Sequence, residues 1–186
     1  MPASPVSLLF TDLYELTMSA VYHARQMSET ATFSLFARDL PQRNFYVAAG
    51  LEDALEALEN FRFSLGDLDY LKTTGLFEPG FLSSLEDCHF SGSVLALPEG
   101  TIFFPNEPIL EVTAPIIEAQ LVETFLLNTI GFQSMIATKA ARCVYASKGR
   151  GVVDFSIRRT PGRDAVTKVP RSVYIAGFDG TSSVLA

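Results

Sequence analysis

The feature that most restricts this chain is a helical stretch across residues 115–147 that is apolar on nearly every side. Leu121, Phe125, Leu126, Leu127, Ile130 and Met135 leave no continuous polar face for solvent, and a helix of that kind belongs in a core. Gly131 is expected to split or kink it. A chain of 186 residues with 48% hydrophobic and 19% charged residues can supply such a core, since a domain of this size buries roughly 70% of the surface it exposes when unfolded. The bilayer is the other home for an apolar helix. No uncharged apolar run here approaches the ~18–20 residues of a membrane span, and Met1-Pro2-Ala3-Ser4-Pro5 lacks the basic start and apolar stretch of a signal peptide.

Charge narrows the partners. Lys and Arg number 14 against 21 Asp and Glu, a net charge of −7. Nucleic acid requires a clustered basic surface, so it is excluded as a partner, whereas a small anion needs only one local basic pocket. Cys88 and Cys143 have no C-x-x-C spacing and His23 and His89 are isolated, which leaves no metal site and suggests two buried thiols in a reducing, cytoplasmic compartment.

Periodicity places the remaining elements. Residues 8–26 read as a helix, with Asp12 and Glu15 at capping-box spacing. Leu9, Leu13, Leu16 and Ala20 form one apolar stripe and Tyr14, Met18 and Val21 a second, so this helix should be covered on two sides. Residues 32–36 read as a strand and 39–44 as a polar turn. Residues 47–60 read as an amphipathic helix, and 65–71 and 79–85 as two short ones. Strands at 93–97, 101–104 and 109–113, joined by Pro/Gly turns, suggest an antiparallel meander. After the long helix, 152–155 reads as a buried strand. Residues 164–174 read as a helix that either starts at Pro170 or kinks there, and 175–178 as a second buried strand. The fold class is α/β. An N-terminal α/β domain with antiparallel strands covers residues 1–114, and long core helices with the first buried strands cover 115–186.

Three places can carry chemistry. Asp154-Phe155-Ser156-Ile157-Arg158-Arg159 puts an aromatic ring and two adjacent guanidinium groups at the end of a strand, and ligands of α/β folds bind at the carboxyl ends of strands. Phe155 can stack on a flat ring, and Arg158 or Arg159 can hold a carboxylate or phosphate by its planar fork. A surface arginine pair after an ordinary strand fits the same spacing. Gly177-Phe178-Asp179-Gly180-Thr181-Ser182-Ser183 leaves backbone N–H groups for an anion, as any capped helix start would. Tyr14, off the main core stripe, fits a stacking platform and equally a core or interface tyrosine.

With these residues in place, the chain resembles the nicotinate phosphoribosyltransferases almost end to end. The resemblance is carried by Thr11-Asp12-Leu13-Tyr14-Glu15-Leu16-Thr17-Met18, Phe33-Ser34-Leu35-Phe36-Ala37-Arg38, Ala49-Gly50-Leu51-Glu52, Leu97-Pro98-Glu99-Gly100 and Phe104-Pro105-Asn106-Glu107-Pro108. It continues through Glu118-Ala119-Gln120-Leu121-Val122-Glu123-Thr124, Asp154-Phe155-Ser156-Ile157-Arg158-Arg159 and Tyr174-Ile175-Ala176-Gly177-Phe178 with Gly180-Thr181-Ser182. It implies an N-terminal α/β domain leading into an irregular α/β barrel that is incomplete in this chain. It also implies homodimers with shared sites, and a reaction of nicotinate with phosphoribosyl pyrophosphate that gives nicotinate mononucleotide for NAD synthesis. ATP hydrolysis is coupled and Mg²⁺ required in the full-length family, neither assignable to residues of this chain.

By the same resemblance, Tyr14 contacts the pyridine ring from the neighbouring subunit and Phe155 sandwiches it. Arg158 sits beside ring and phosphate as the catalytic residue, with Arg159 next to it. Thr181 and Ser182 line the substrate, and a neutral Ser182, where nicotinamide-using relatives carry an aspartate, favours the acid over the amide. The family's phosphorylated histidine and most phosphate loops have no counterpart in these residues. The chain alone is therefore expected to be inactive, and to aggregate or need a partner chain. A non-catalytic interaction module and a nicotinamide-using enzyme are the alternatives.

Overall fold

The computed structural model describes residues 7–185. In chain order the elements are α1 (Leu13–Ala24), β1 (Thr30–Phe36), β2 (Tyr46–Val47), α2 (Leu51–Glu59), α3 (Leu65–Thr74), α4 (Pro79–Glu86), β3 (Ser93–Ala96), β4 (Ile102–Phe103), β5 (Pro108–Pro115), α5 (Ile116–Leu121), α6 (Glu123–Ser147), β6 (Val153–Asp154), a 3₁₀ turn (Ile157–Arg159), α7 (Ala165–Ile175) and β7 (Gly180–Thr181). The mixture is α/β in class, as the sequence implies. No described helix is long and apolar enough to cross a membrane. The chain forms two compact units, each drawn from three separate segments: residues 1–34, 52–95 and 110–128, then 35–51, 96–109 and 129–186.

The first unit is helical around a three-stranded sheet in the order β1-β5-β3. The three strands after residue 93 therefore do not form a meander. β5 is long enough to pair on both edges, and β4 leaves to join β2. Leu68 and Leu71 of α3 and Phe81 and Leu85 of α4 are almost fully buried, each contributing roughly 1.5–3 kcal/mol through the water it sheds. Ser64 and Asp67 close a capping box at the start of α3, their reciprocal bonds 3.1 and 2.9 Å long. At α1 the expected capping box is absent: Asp12 occupies the N-cap position without a side-chain cap bond, because its carboxylate is taken by Thr124. The buried face of α1 is Glu15, Leu16 and Ser19, so a glutamate stands where the apolar stripe predicts only aliphatic residues.

The second unit holds two small sheets. Val47, expected from sequence to begin a helix, instead forms β2 with Tyr46, antiparallel to β4, and the rings of Tyr46 and Phe103 stack at 5.3 Å; the helix starts at Leu51. The next backbone groups are satisfied by turns from two directions. The Val47 and Ala49 N–H groups donate to Thr138 and Ser134 of α6, and that of Ala48 donates to the Thr101 carbonyl. Val47, Ala49 and Ala137 form the centre of one apolar cluster and Ala140, Val169 and Val173 of another.

The long helical stretch breaks at Val122 and not at Gly131, which lies inside α6 with open space where a Cβ would stand. α7 starts at Ala165 and includes Pro170 in its interior, so the helix does not begin at the proline. It ends in a Schellman motif, with Gly177 at φ +99° and the N–H groups of Gly177 and Phe178 bonded to the carbonyls of Tyr174 and Val173. Residues 175–178 are thus a helix end, and the strand expected there is β7, two residues further on. β6 is short and alternates, Val153 exposed and Asp154 buried, in place of a fully buried strand. Of the two thiols expected to be buried, Cys143 is exposed and Cys88 is half-buried.

Candidate functional site

Five of the six site residues expected from the sequence meet in the second unit. β6 and β7 run parallel, with Val153 opposite Gly180 and Asp154 opposite Thr181. Their carboxyl ends therefore deliver Phe155 and the Ile157–Arg159 turn beside Thr181 and Ser182. Parallel strands release their ligand-facing loops on the same side, which is why this end of such a sheet builds sites.

Phe155 leaves the strand with 69% of its surface exposed. Arg158 and Arg159 follow on the 3₁₀ turn, both exposed. Thr181 and Ser182 are half-buried. An exposed aromatic ring followed closely along the chain by two exposed arginines offers flat stacking and anion pairing together.

Asp154 holds these loops in register. Its carboxylate accepts the Ser156 N–H at 3.0 Å and the Thr181 hydroxyl at 2.9 Å, and its carbonyl accepts the Ser182 N–H at 2.8 Å. The Thr181 hydroxyl oxygen in turn accepts the Ser183 N–H at 3.0 Å. The Thr181 hydroxyl is thus committed to the loop on both its donor and one acceptor side, which makes it a support for its neighbours. The Ser183 hydroxyl is buried without a hydrogen-bond partner. A cavity of about 290 Å³ lies alongside, bordered by Arg171, Tyr174, Phe178 and Thr181 among others.

A half-buried ion pair stiffens the same unit. The Arg171 guanidinium, on α7, donates twice to Glu99, at 2.8 and 2.6 Å. Glu99 also accepts the N–H groups of Gly50 and Leu51 at 2.6 and 3.0 Å. Burial works against the Glu99 charge, but these bonds and the Arg171 charge outweigh it and hold the carboxyl below the usual range.

Tyr14, the sixth residue, belongs to the first unit. Its ring is 46% exposed on α1, flanked by the exposed Met18 and Val21, so the second apolar stripe is uncovered in this chain. Its hydroxyl donates to Glu123 at 2.8 Å. Desolvation of that hydroxyl, then the hydrogen bonds and charges of Glu123 and Glu15, push it above the ordinary tyrosine range. Glu15 is fully buried and bonded to Gln120 and Thr124. Among the described residues, no group of three or more His, Cys, Asp or Glu is placed to hold a metal ion.

Sequence reasoning missed Asp154, Glu99, Arg171, Glu15, Gln120 and Glu123. A signal existed for two of them. Gln120 and Glu123 are polar residues in the most apolar stretch of the chain, and a buried polar group must find partners.

The chain is similar to known proteins along almost its whole length. The family described as the nicotinate phosphoribosyltransferase (NAPRTase) N-terminal domain matches residues 9–131. A nicotinate phosphoribosyltransferase of Mycobacterium tuberculosis is 56% identical over 182 residues, covering 97% of this chain and 39% of the relative. One from Bacillus subtilis is 43% identical over 180 residues, covering 96% and 37%. The crystal structure of human nicotinic acid phosphoribosyltransferase superposes with a TM-score of 0.86 at 35% identity, covering 95% of this chain and 36% of that one. The chain thus spans about two fifths of the length of the curated relatives it matches.

Proposed function

The chain belongs to the nicotinate phosphoribosyltransferase family, and from that membership we propose that it supplies the ring-binding part of an enzyme of NAD biosynthesis. That enzyme joins nicotinate to the phosphoribosyl group of phosphoribosyl pyrophosphate, releases pyrophosphate and couples the reaction to ATP hydrolysis with Mg²⁺. The observation that carries the proposal is the meeting of Phe155, Arg158, Arg159 and Ser182 at the carboxyl ends of two parallel strands.

On this reading the Phe155 face stacks on the pyridine ring, and Arg158, with Arg159 behind it, pairs with the carboxylate or the nascent phosphate. Ser182 offers a neutral hydroxyl where an acid would repel the substrate. The pyridine nitrogen displaces pyrophosphate at the anomeric carbon. Charge develops on the sugar and the leaving group, so the protein's part is to position and neutralise. Tyr14 serves as the second platform, presented to a second copy of the chain, and its uncovered stripe with Met18 and Val21 supports this. Residues 115–186 form the start of the family's α/β barrel, and the 186 residues alone do not turn over. The setting is the cytoplasm.

The test is a chimera in which this chain replaces the matching segment of the Bacillus subtilis relative. The chimera is expected to form nicotinate mononucleotide, and Phe155→Ala to lower kcat/KM for nicotinate by more than about tenfold. An unchanged kcat/KM overturns the ring assignment. Product from the purified 186-residue chain overturns its inactivity. Equal use of nicotinamide and nicotinate overturns the role given to Ser182.

A further inference from the structure

The contacts around Tyr14 contain more hydrogen bonds than the recognised protons can make. Three carboxylates converge there: Asp12, in the turn before α1, Glu15 on α1 and Glu123 on α6. They receive five contacts, from the Tyr14 hydroxyl to Glu123, the Gln120 amide nitrogen to Glu15 and to Glu123, and the Thr124 hydroxyl to Asp12 and to Glu15. The donors carry four protons: one on Tyr14, two on Gln120 and one on Thr124.

The shortfall falls on Thr124. Its oxygen lies 2.8 Å from Asp12 Oδ2 and 2.8 Å from Glu15 Oε1. Both distances are those of a full O–H···O bond, and a hydroxyl has one proton to give. The oxygen also accepts the Asp12 N–H at 3.3 Å. One further donor fills its remaining lone pair, and that donor is a carboxylic acid.

Burial decides which acid. Asp12 is exposed at a helix N-terminus, where a negative charge is stabilised. Glu15 is fully buried, and no basic side chain is bonded to it among the described residues. An unpaired buried carboxylate costs several kcal/mol and takes up a proton instead. The proton therefore runs from Glu15 Oε1 to Thr124, and the Thr124 proton to Asp12.

We propose that Glu15 is carried in the folded chain as a neutral carboxylic acid donating to the Thr124 hydroxyl, and that this proton positions Tyr14 through Gln120 and Glu123. With Glu15 neutral, Gln120 spans Glu15 and Glu123 without forcing two charges together. Glu123 holds the Tyr14 hydroxyl. Loss of the proton sets two carboxylates against each other across Gln120, leaves Thr124 one donor short and releases Tyr14. Burial raises the Glu15 carboxyl above its ordinary range, and the charge of Glu123 adds to it.

The other groups on the helices packed against α1 stand apart. Glu118 of α5 is bonded to Ser91, Glu86 of α4 makes no hydrogen bond to the cluster among the described residues, and His23 of α1 packs its ring on Phe81. Tyr22 of α1 touches the far end of Gln120 at 3.5 Å. Glu15 is a positioning residue. What Tyr14 is positioned for rests on the ring-binding role proposed above, whereas the place of the proton does not.

The experiment uses the full chain with ¹³C-labelled glutamate carboxyls, assigned through bonds and followed by NMR across pH without nicotinate. The Glu15 carbon is expected to keep the shift of a protonated acid through neutral pH. Glu15→Gln, whose amide donates to Thr124 as the acid does, is expected to leave the Tyr14 ring resonances in place, and Glu15→Ala to move them. Titration of Glu15 with the exposed glutamates overturns the proposal. So does a Glu15→Gln chain whose Tyr14 resonances move as far as in Glu15→Ala. Should either variant fail to fold, the wild-type titration and the carbonyl stretch of a protonated acid in its infrared spectrum decide alone. Because nicotinate is absent throughout, failure of the ring-binding role leaves this result standing.

Discussion

Arg171 and Glu99 meet fork to fork, 72 residues apart in sequence, through hydrogen bonds of 2.8 and 2.6 Å. The pair ties α7 to the Leu97-Pro98-Glu99-Gly100 turn, and Glu99 also accepts the Gly50 and Leu51 N–H groups. Glu99→Ala removes the acceptor of two Arg171 N–H groups and two backbone donors. A fully buried broken pair costs roughly 3–5 kcal/mol; this one should cost about 2–3 kcal/mol, because Arg171 keeps 31% of its side chain exposed. Urea denaturation of the chain checks this, and a loss below about 0.5 kcal/mol would show that water replaces the pair.

The same carboxylate sets an acid limit. Glu99 is held below its ordinary range when folded and returns to that range when unfolded. Between the two values the unfolded chain binds the additional proton. Its contribution is therefore complete above the ordinary glutamate range and is lost as pH falls through the folded value. Asp67 adds to the loss, since bonds from Ser7 and Ser64 outweigh its burial and lower it too. Thermal unfolding measured at successively lower pH should show a falling midpoint, and Glu99→Gln should flatten part of that fall. A Glu99→Gln chain with an unchanged acid slope would refute the assignment.

These long-range ties also explain what was legible from sequence and what was not. β1, α3 and α4 are local, and their period and turn residues place them correctly. Residues 47–49 read as the first turn of a helix because the groups that hold them extended, Thr101, Ser134 and Thr138, lie in no local window. Gly131 reads as a break because glycine costs about 1 kcal/mol in a helix. The real offset is at Val122, beside Gln120, Glu123 and Thr124, which meet α1. In the candidate site, Phe155, Arg158 and Arg159 were legible because they follow a strand end. Asp154, Glu99 and Glu15 each have a partner far along the chain, 27, 72 and 105 residues away, which no local window contains.

Asp154 makes the Phe155 loop and the Ser182 loop one object. Asp154→Ala removes the acceptor of both the Ser156 N–H and the Thr181 hydroxyl, leaving two donors unsatisfied at a cost of roughly 1–3 kcal/mol. Asp154→Asn keeps an acceptor for one of them and should cost less. Amide exchange at Ser156 and Ser183 should accelerate more in Asp154→Ala than in Asp154→Asn. Equal protection in all three chains would mean that the loops hold themselves.

Two glycines respond to alanine in opposite directions. Gly50 has φ +98°, and a Cβ there would stand 3.0 Å from the Thr129 carbonyl oxygen and 3.2 Å from Gln133 Nε2. Alanine would have to hold a backbone conformation that L-residues avoid while pressing on a carbonyl that cannot rotate away. Strain of that kind costs roughly 1–3 kcal/mol, and it would also disturb the two N–H groups aimed at Glu99. Gly131 lies in the interior of α6 with nothing within 4 Å of its Cβ position, so alanine there removes only the flexibility penalty and should stabilise by about 0.8–1.0 kcal/mol. Urea midpoints of Gly50→Ala and Gly131→Ala should therefore move to opposite sides of the parent. A Gly50→Ala chain as stable as the parent would show that the turn before α2 relaxes around a methyl group, and that Glu99 does not depend on its shape.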